Sequence, residues 1–168
     1  MTKTTEMPTT TATNRERVSA TKTSPVLQPY LFFEGRCEEA LEFYRSALGA
    51  EVLFMMRFKD SPEPPKDGQC APGSGDKIMH ASVRIGQSTI MVSDGRCTGH
   101  PNFQGFSLSL TASDVAQAER LFAEIGKGGQ VVMHLTKTFF SPSFGMVNDR
   151  FGVCWMVYVA SEAQKPNA

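Results

Sequence analysis

The chain repeats itself at half its length, and that limits the folds open to it. Gln28 to Val52, QPYLFFEGRCEEALEFYRSALGAEV, reads as strand, turn, helix and the start of a second strand. Phe103 to Val132, FQGFSLSLTASDVAQAERLFAEIGKGGQVV, reads the same way. Ala40, Phe43 and Tyr44 fall opposite Ala118, Leu121 and Phe122, 78 residues on, and Glu51-Val52 falls opposite Gln130-Val131, one residue out of step. A repeat of this length implies two copies of one supersecondary unit that bury their apolar faces together, with any site lying between them.

Local patterns fill in each copy. Pro29 to Phe33 is a short apolar strand. Cys37 to Leu48 is a helix, with Ala40, Leu41, Phe43, Tyr44, Ala47 and Leu48 at helical spacing and Gly49 as its stop. Glu51 to Phe58 is a strand, and the Pro- and Gly-rich stretch from Asp60 to Asp76 is a loop, long enough for a lid or a flexible connection. Lys77 to Ile85 and Ser88 to Ser93 form a hairpin across Gly86-Gln87, and Asp94 to Asn102 links the copies. The second copy takes strand Gln104 to Leu110, a helix capped by Ser113 or Asp114 and running to about Ile125, strand Gln130 to Thr136, a short strand from Phe144 to Val147, and strand Val153 to Val159 after the turn Asn148 to Gly152. The fold class is therefore α+β: two βαβββ modules, 26–95 and 103–160, whose mixed strands build a curved sheet with helices on its outer face. Residues 1–25, rich in Thr, Ser and Ala, read as a disordered tail, and residues 161–168 as a frayed end.

Charge and cysteine usage exclude some functions. Seventeen basic and 17 acidic side chains cancel, so there is no basic surplus of the kind that neutralises phosphates, and no nucleic-acid partner is expected. No apolar run approaches the ~20 residues that cross a bilayer, and no secretory signal is visible, so a cytoplasmic protein without a membrane partner is expected. Cys37, Cys70, Cys97 and Cys154 contain no CxxC pair and read as free thiols in a reducing compartment. GxSxG, Walker and GxGxxG motifs are absent from the sequence.

PYLFFEGRCEEALEFY, DKIMHASVRIG, IMVSD, FQGFSLSL and LTKTFFSPSFGMVNDRFGVCWM together resemble the PhnB-like (YjdN-like) group of the vicinal oxygen chelate superfamily, whose fold is that of glyoxalase I and the bleomycin-resistance proteins. The group also carries the label "3-demethylubiquinone-9 3-methyltransferase"; without a glycine-rich nucleotide-binding turn the label does not describe the chemistry to expect. The resemblance covers roughly Gln28 to Val159 and departs from the group at Phe140, where Trp is frequent, and at His134, where Pro is usual. It implies a glyoxalase-like fold, a cavity for a small molecule and a homodimer. Metal-dependent members carry His, Gln or Glu on the first and last strands of both modules. The matching positions are about Pro29, Met91, Gly105 and Met156, so the resemblance implies no metal and no cofactor here.

The remaining polar chemistry sits on a few strands. In KIMHASVR, period two separates Met79, Ala81 and Val83 from His80, Ser82 and Arg84, and the second set faces the cavity if the first packs on the helix. His80 then has two readings, proton shuttle or hydrogen-bonded strand residue, and Arg84 is an anion holder or an edge charge. Asp94 either orients His80 or caps the turn before Gly95. Asp149 and Arg150 read as a hairpin turn and an ion pair. His134, alternating with Val132 and Thr136, would share a pocket with His80 if its set also faced inward, whereas His100 reads as a surface residue. Most of Phe32, Phe33, Phe54, Phe58, Phe106, Phe139, Phe140, Phe144 and Trp155 should be core, with some lining a pocket beside Met55, Met56, Met91 and Met156. The cavity candidates are thus His80, Ser82, Arg84, Met91, Asp94, His134 and Met156. No catalytic residue is identified. The leading expectation is binding of an unidentified small molecule. A lyase or dioxygenase using His80, Asp94 and His134 as unusual metal ligands is one alternative, and a structural or interaction module is the other.

Overall fold

The computed structural model describes residues 25–63 and 71–161. The Thr-rich segment, the middle of the Pro-rich loop, Cys70 and the final residues lie outside the described part.

The elements run β1 (Tyr30–Phe32), α1 (Cys37–Leu48), β2 (Glu51–Arg57), β3 (Ile78–Ile85), β4 (Ser88–Ser93), β5 (Leu108–Ala112), α2 (Val115–Ile125), β6 (Gln130–Thr136), β7 (Phe144–Asn148) and β8 (Cys154–Val159). They form two four-stranded sheets, ordered β1-β4-β3-β2 and β5-β8-β7-β6. In each, the first strand lies parallel to the last and the other neighbours are antiparallel. Each module is the expected βαβββ unit. No helix among the described residues is long and apolar enough to cross a membrane.

Local chemistry accounts for the helix ends. Gly49, at φ 66°, takes the left-handed position that ends α1, and its N–H reaches the carbonyl of Arg45. Asp114, the N-cap of α2, accepts from Gln117 N at 2.8 Å, while Gln117 Oε1 accepts from Ser113 N at 2.7 Å. Of the two candidate caps, Asp114 therefore holds the position. The Arg36 side chain makes no cap at α1. Asp94 supplies it from 57 residues away, accepting from Cys37 N at 2.6 Å.

Strand β5 is the main displacement from the sequence pattern: it covers Leu108–Ala112 rather than Gln104 to Leu110. Gly105, at φ 79°, breaks the extended backbone, and pairing with Tyr158 and Val159 of β8 carries the strand on to Thr111 and Ala112. At β1 the difference is only at the edges. Pro29 O accepts from Met91 N, and Phe33 N donates to Ser93 O, so β4 holds both flanking residues.

Each helix covers one face of its own sheet, and α1 touches α2. One core therefore runs through both modules, with Leu31, Phe33, Tyr44, Val83 and Val92 from the first and Phe122, Ile125, Val147, Trp155 and Val157 from the second. Of the nine aromatics expected mostly inside, Phe33 and Trp155 are buried. Phe32, Phe54, Phe106 and Phe139 are exposed instead, and Phe58, Phe140 and Phe144 are half-buried. For Phe32 and Phe144 the reason is parity, since each flanks a buried strand position and points to the other face of the sheet; Phe58, Phe106, Phe139 and Phe140 lie outside the strands, and Phe54 is on the edge strand β2.

Asp149 joins the modules. It is 3% exposed, and its Oδ1 accepts from Phe151 N at 2.9 Å and Val153 N at 3.0 Å. Its Oδ2 accepts from Trp155 Nε1 at 3.0 Å and from Tyr44 Oη of the first module at 2.6 Å. Asp149 makes the expected turn but not the expected ion pair. The Arg150 guanidinium donates to Lys127 O and lies over the ring of Phe43, 4.6 Å from its centroid.

Candidate functional site

Strand register fixes what each sheet presents on the face away from its helix. In the first sheet Phe54 pairs with Ser82, Ser82 with Met91, and Met91 with Tyr30. The next row holds Met56, His80 and Phe32, since Met56 pairs with His80 and Phe32 with Ser93. Directly paired residues share a face, so these side chains form one surface. Tyr30, Phe32 and Phe54 are 39%, 49% and 48% exposed on it.

His80 sits among them. Its Nδ1 lies 2.9 Å from Tyr30 Oη, and its ring is 5.5 Å from that of Tyr30 and 6.0 Å from that of Phe54. Burial raises the pKa of the Tyr30 hydroxyl above its ordinary value. The phenol therefore stays protonated at neutral pH, within hydrogen-bond distance of the His80 ring. The face thus offers aromatic planes, thioethers and a few polar atoms, the composition of an ordinary small-ligand surface.

The seven candidate residues do not converge. His80, Ser82 and Met91 come together on the open face of the first sheet, as the strand alternation implies. The apolar set behind them is shifted by an irregularity between Met56 and Arg57: Ile78, Ala81 and Val83 are buried, and Met79 is only half-buried. Arg84 is four residues along from His80, about 13 Å at strand rise, and pairs with Glu51. Its charge is thus compensated at an exposed edge, where such pairs contribute little.

Asp94 departs from the cavity. It is 1% exposed, and its two oxygens accept from Cys37 N at 2.6 Å and Ile78 N at 2.7 Å. It fastens α1 to β3 and is no partner of His80. Met156 belongs to the second sheet, where it pairs with Ser109 and Met146. His134 is exposed on the edge strand β6, in the other sheet from His80. Phe32 and Phe54 are among the aromatics expected mostly in the core with some lining a pocket, and Tyr30 carries no site expectation. The alternation around buried Leu31 was the signal for Tyr30 and Phe32; Phe54 sits beyond a bulge that no local pattern marks.

Register also tests the positions where metal-dependent relatives place ligands. The residue across from Met91 is Tyr30, and the one across from Met156 is Ser109. Gly105 lies ahead of β5 rather than in it. A phenol, a hydroxyl and two thioethers do not suit a divalent first-row ion, and among the described residues no group of three His, Cys, Asp or Glu converges. The donor set does not fit the superfamily's metal.

Two cavities flank β1. One, about 450 Å³, lies between the modules and is lined by Pro29, Ile85, Ile90, Leu108, Leu110 and Trp155 among others. The second, about 360 Å³, opens beside Tyr30 and Phe32, next to the His80 surface. None of the seven candidates lines either cavity.

Comparison with known proteins places these features. Residues 25–158 match the family model described as 3-demethylubiquinone-9 3-methyltransferase. The chain is 37% identical over 141 residues to protein YjdN of Escherichia coli (strain K12), covering 81% of this chain and 96% of that one. Among solved structures, protein PA1353 from Pseudomonas aeruginosa aligns with a TM-score of 0.69 and 41% identity, over 82% of this chain and 98% of the other. The fosfomycin resistance protein FosX from Listeria monocytogenes aligns with a TM-score of 0.58 over 86% of this chain and 99% of that one, at 8% identity, a likeness of fold alone.

Proposed function

Because this chain belongs to the 3-demethylubiquinone-9 3-methyltransferase family, the PhnB-like group with the vicinal oxygen chelate fold, we propose that it binds a small molecule on the open face of its first sheet, by packing and hydrogen bonding, without a metal centre. One observation carries the reading. Tyr30, Phe32 and Phe54 stand about 40–50% exposed around His80, on a sheet face that the chain's own helices leave uncovered. Clustered exposed aromatics of this kind mark binding surfaces rather than ordinary protein surface. Ser82 and the free edge of the His80 ring supply hydrogen-bond groups, and Met91 and Met56 supply adaptable apolar contact.

The family's name does not define the reaction. Two mixed four-stranded sheets are not the doubly wound parallel sheet on which nucleotide-type cofactors bind at a glycine-rich turn. The side chains at the superfamily's ligand positions supply no set for a divalent ion.

Native mass spectrometry of freshly purified protein tests the proposal. A mass above that of the polypeptide, released on denaturation as an organic molecule and lost in Tyr30→Ala, is expected. Stoichiometric divalent metal retained through gel filtration would overturn the metal-free reading.

A further inference from the structure

The cavity beside β1 narrows the chemistry of the ligand, and the argument rests on the binding role proposed above. Its walls are Tyr30 and Phe32 on one side and Phe103 and Phe106 on the other, with Glu34 and His100 at its rim. Tyr30 and Phe32 stack on each other, 4.9 Å between centroids with ring planes 24° from parallel, so this wall is a stacked aromatic pair. Phe103 rests on buried Phe33, 5.3 Å between centroids, and Phe106 meets Phe103 edge-on at 6.3 Å. The second wall is therefore anchored in the core. Phe32 and Phe106 remain 49% and 43% exposed.

Glu34 gives the cleft its sign. Its backbone sits at φ 51°, a left-handed conformation that costs a non-glycine residue energy and persists only where its surroundings hold it. Thr98 does the holding: its N–H and Oγ1 donate to Glu34 Oε2 at 3.0 and 2.9 Å. Oε1 lies over Gly95, only 2.4 Å from where a Cβ there would stand. Glycine at 95 thus leaves room for the carboxylate, whose Oε2 takes both Thr98 donors. A fixed carboxylate beside two aromatic walls attracts a cation, because ring faces and carboxylate both carry negative potential. A planar guest can extend the Tyr30–Phe32 stack by lying on its outer ring face.

We propose that this cleft binds a planar aromatic cation, stacked on Tyr30 and Phe32 with its positive charge toward Glu34. The test uses three probes of similar size: 1-methylquinolinium (cation), 2-naphthol (neutral) and naphthalene-2-sulfonate (anion). Their binding to the full chain is measured by calorimetry. The cation should bind tightest and the anion weakest. Glu34→Gln should weaken the cation about fivefold and leave 2-naphthol unchanged, and Phe106→Ala should weaken both. Unaltered Trp155 emission and melting would show that the variants fold. Equal or tighter binding of 2-naphthol or the sulfonate would overturn the cationic preference while leaving the binding role standing. No binding of any probe would overturn both.

Discussion

Replacing Tyr44 with Phe removes one hydroxyl from the junction of the two modules. That hydroxyl donates at 2.6 Å to Asp149, and the two residues are 0% and 3% exposed. A hydrogen bond to a charged group is worth about 1.5–3 kcal/mol. Three donors remain on Asp149, from Trp155, Phe151 and Val153, so the carboxylate is not stranded. The expected cost is therefore near the middle, about 2 kcal/mol, or a melting temperature lower by roughly 6–10 °C for a domain of this size. Asp149→Ala is a poor probe by comparison. It would orphan four buried donors at about 1–3 kcal/mol each, comparable with a whole domain's stability. Urea unfolding followed by the emission of Trp155, the single tryptophan, reads the Tyr44→Phe change directly. A cycle with Asp149→Asn should give a coupling of at least about 1 kcal/mol between the positions. A cost under about 0.5 kcal/mol with no coupling would refute the role given to this contact.

Three further outcomes follow from the same geometry. Burial raises the pKa of the Cys37 thiol and of the Tyr44 hydroxyl, so both are held neutral in the fold; their stabilisation is whole below the unfolded pKa values, about 8.5 and 10, and is lost as pH rises beyond them. The urea midpoint should fall between pH 8 and pH 11, less steeply in Cys37→Ala and, at the upper end, in Tyr44→Phe; an unchanged slope in both variants would count against it. Asp94→Ala leaves the N–H groups of Cys37 and Ile78 without their acceptor and should cost about 2–5 kcal/mol, while the NMR signals of the His80 ring at fixed pH stay put; a clear movement of those signals would restore Asp94 to the site. Leu53, Phe54 and Met55 on β2 and Val131, Val132 and Met133 on β6 are 41–53% exposed on edge strands, the kind of surface a second copy covers. Sedimentation equilibrium should give twice the 18.4 kDa chain mass, reverting to one in Leu53→Lys/Val132→Lys, and a monomer at micromolar concentration would rule the dimer out.

Much of the fold was legible because its signals are local. α1, β4 and β6 stand where periodicity and turn residues put them, since helical spacing and glycine stops act over a few residues. β5 departs from the pattern because two things decide its bounds, the backbone of Gly105 and pairing with β8, and the β8 partners are 47 residues away in the chain. Asp149 looked like turn chemistry for the same reason: its partner Tyr44 is 105 residues distant. The site was half legible. Alternation placed His80 and Ser82 on the open face, but it could not show that Arg84 is neutralised by Glu51, or that Asp94 is spent on two backbone N–H groups. Nor does any motif announce that Phe103 and Phe106, in what reads as a linker and strand, close a cleft against Tyr30 and Phe32.

Methionine methyl NMR reports on the proposed binding face without presupposing the ligand. Met91 and Met56 lie on that face, among the chain's nine methionines. With ¹³C-methyl-methionine protein and a library of small planar aromatic molecules, Met91 and Met56 should shift together and saturably with at least one compound, and Tyr30→Ala should abolish the response. No saturable shift at either methyl with any compound, or shifts confined to methionines elsewhere, would contradict small-molecule binding on the open face of the first sheet.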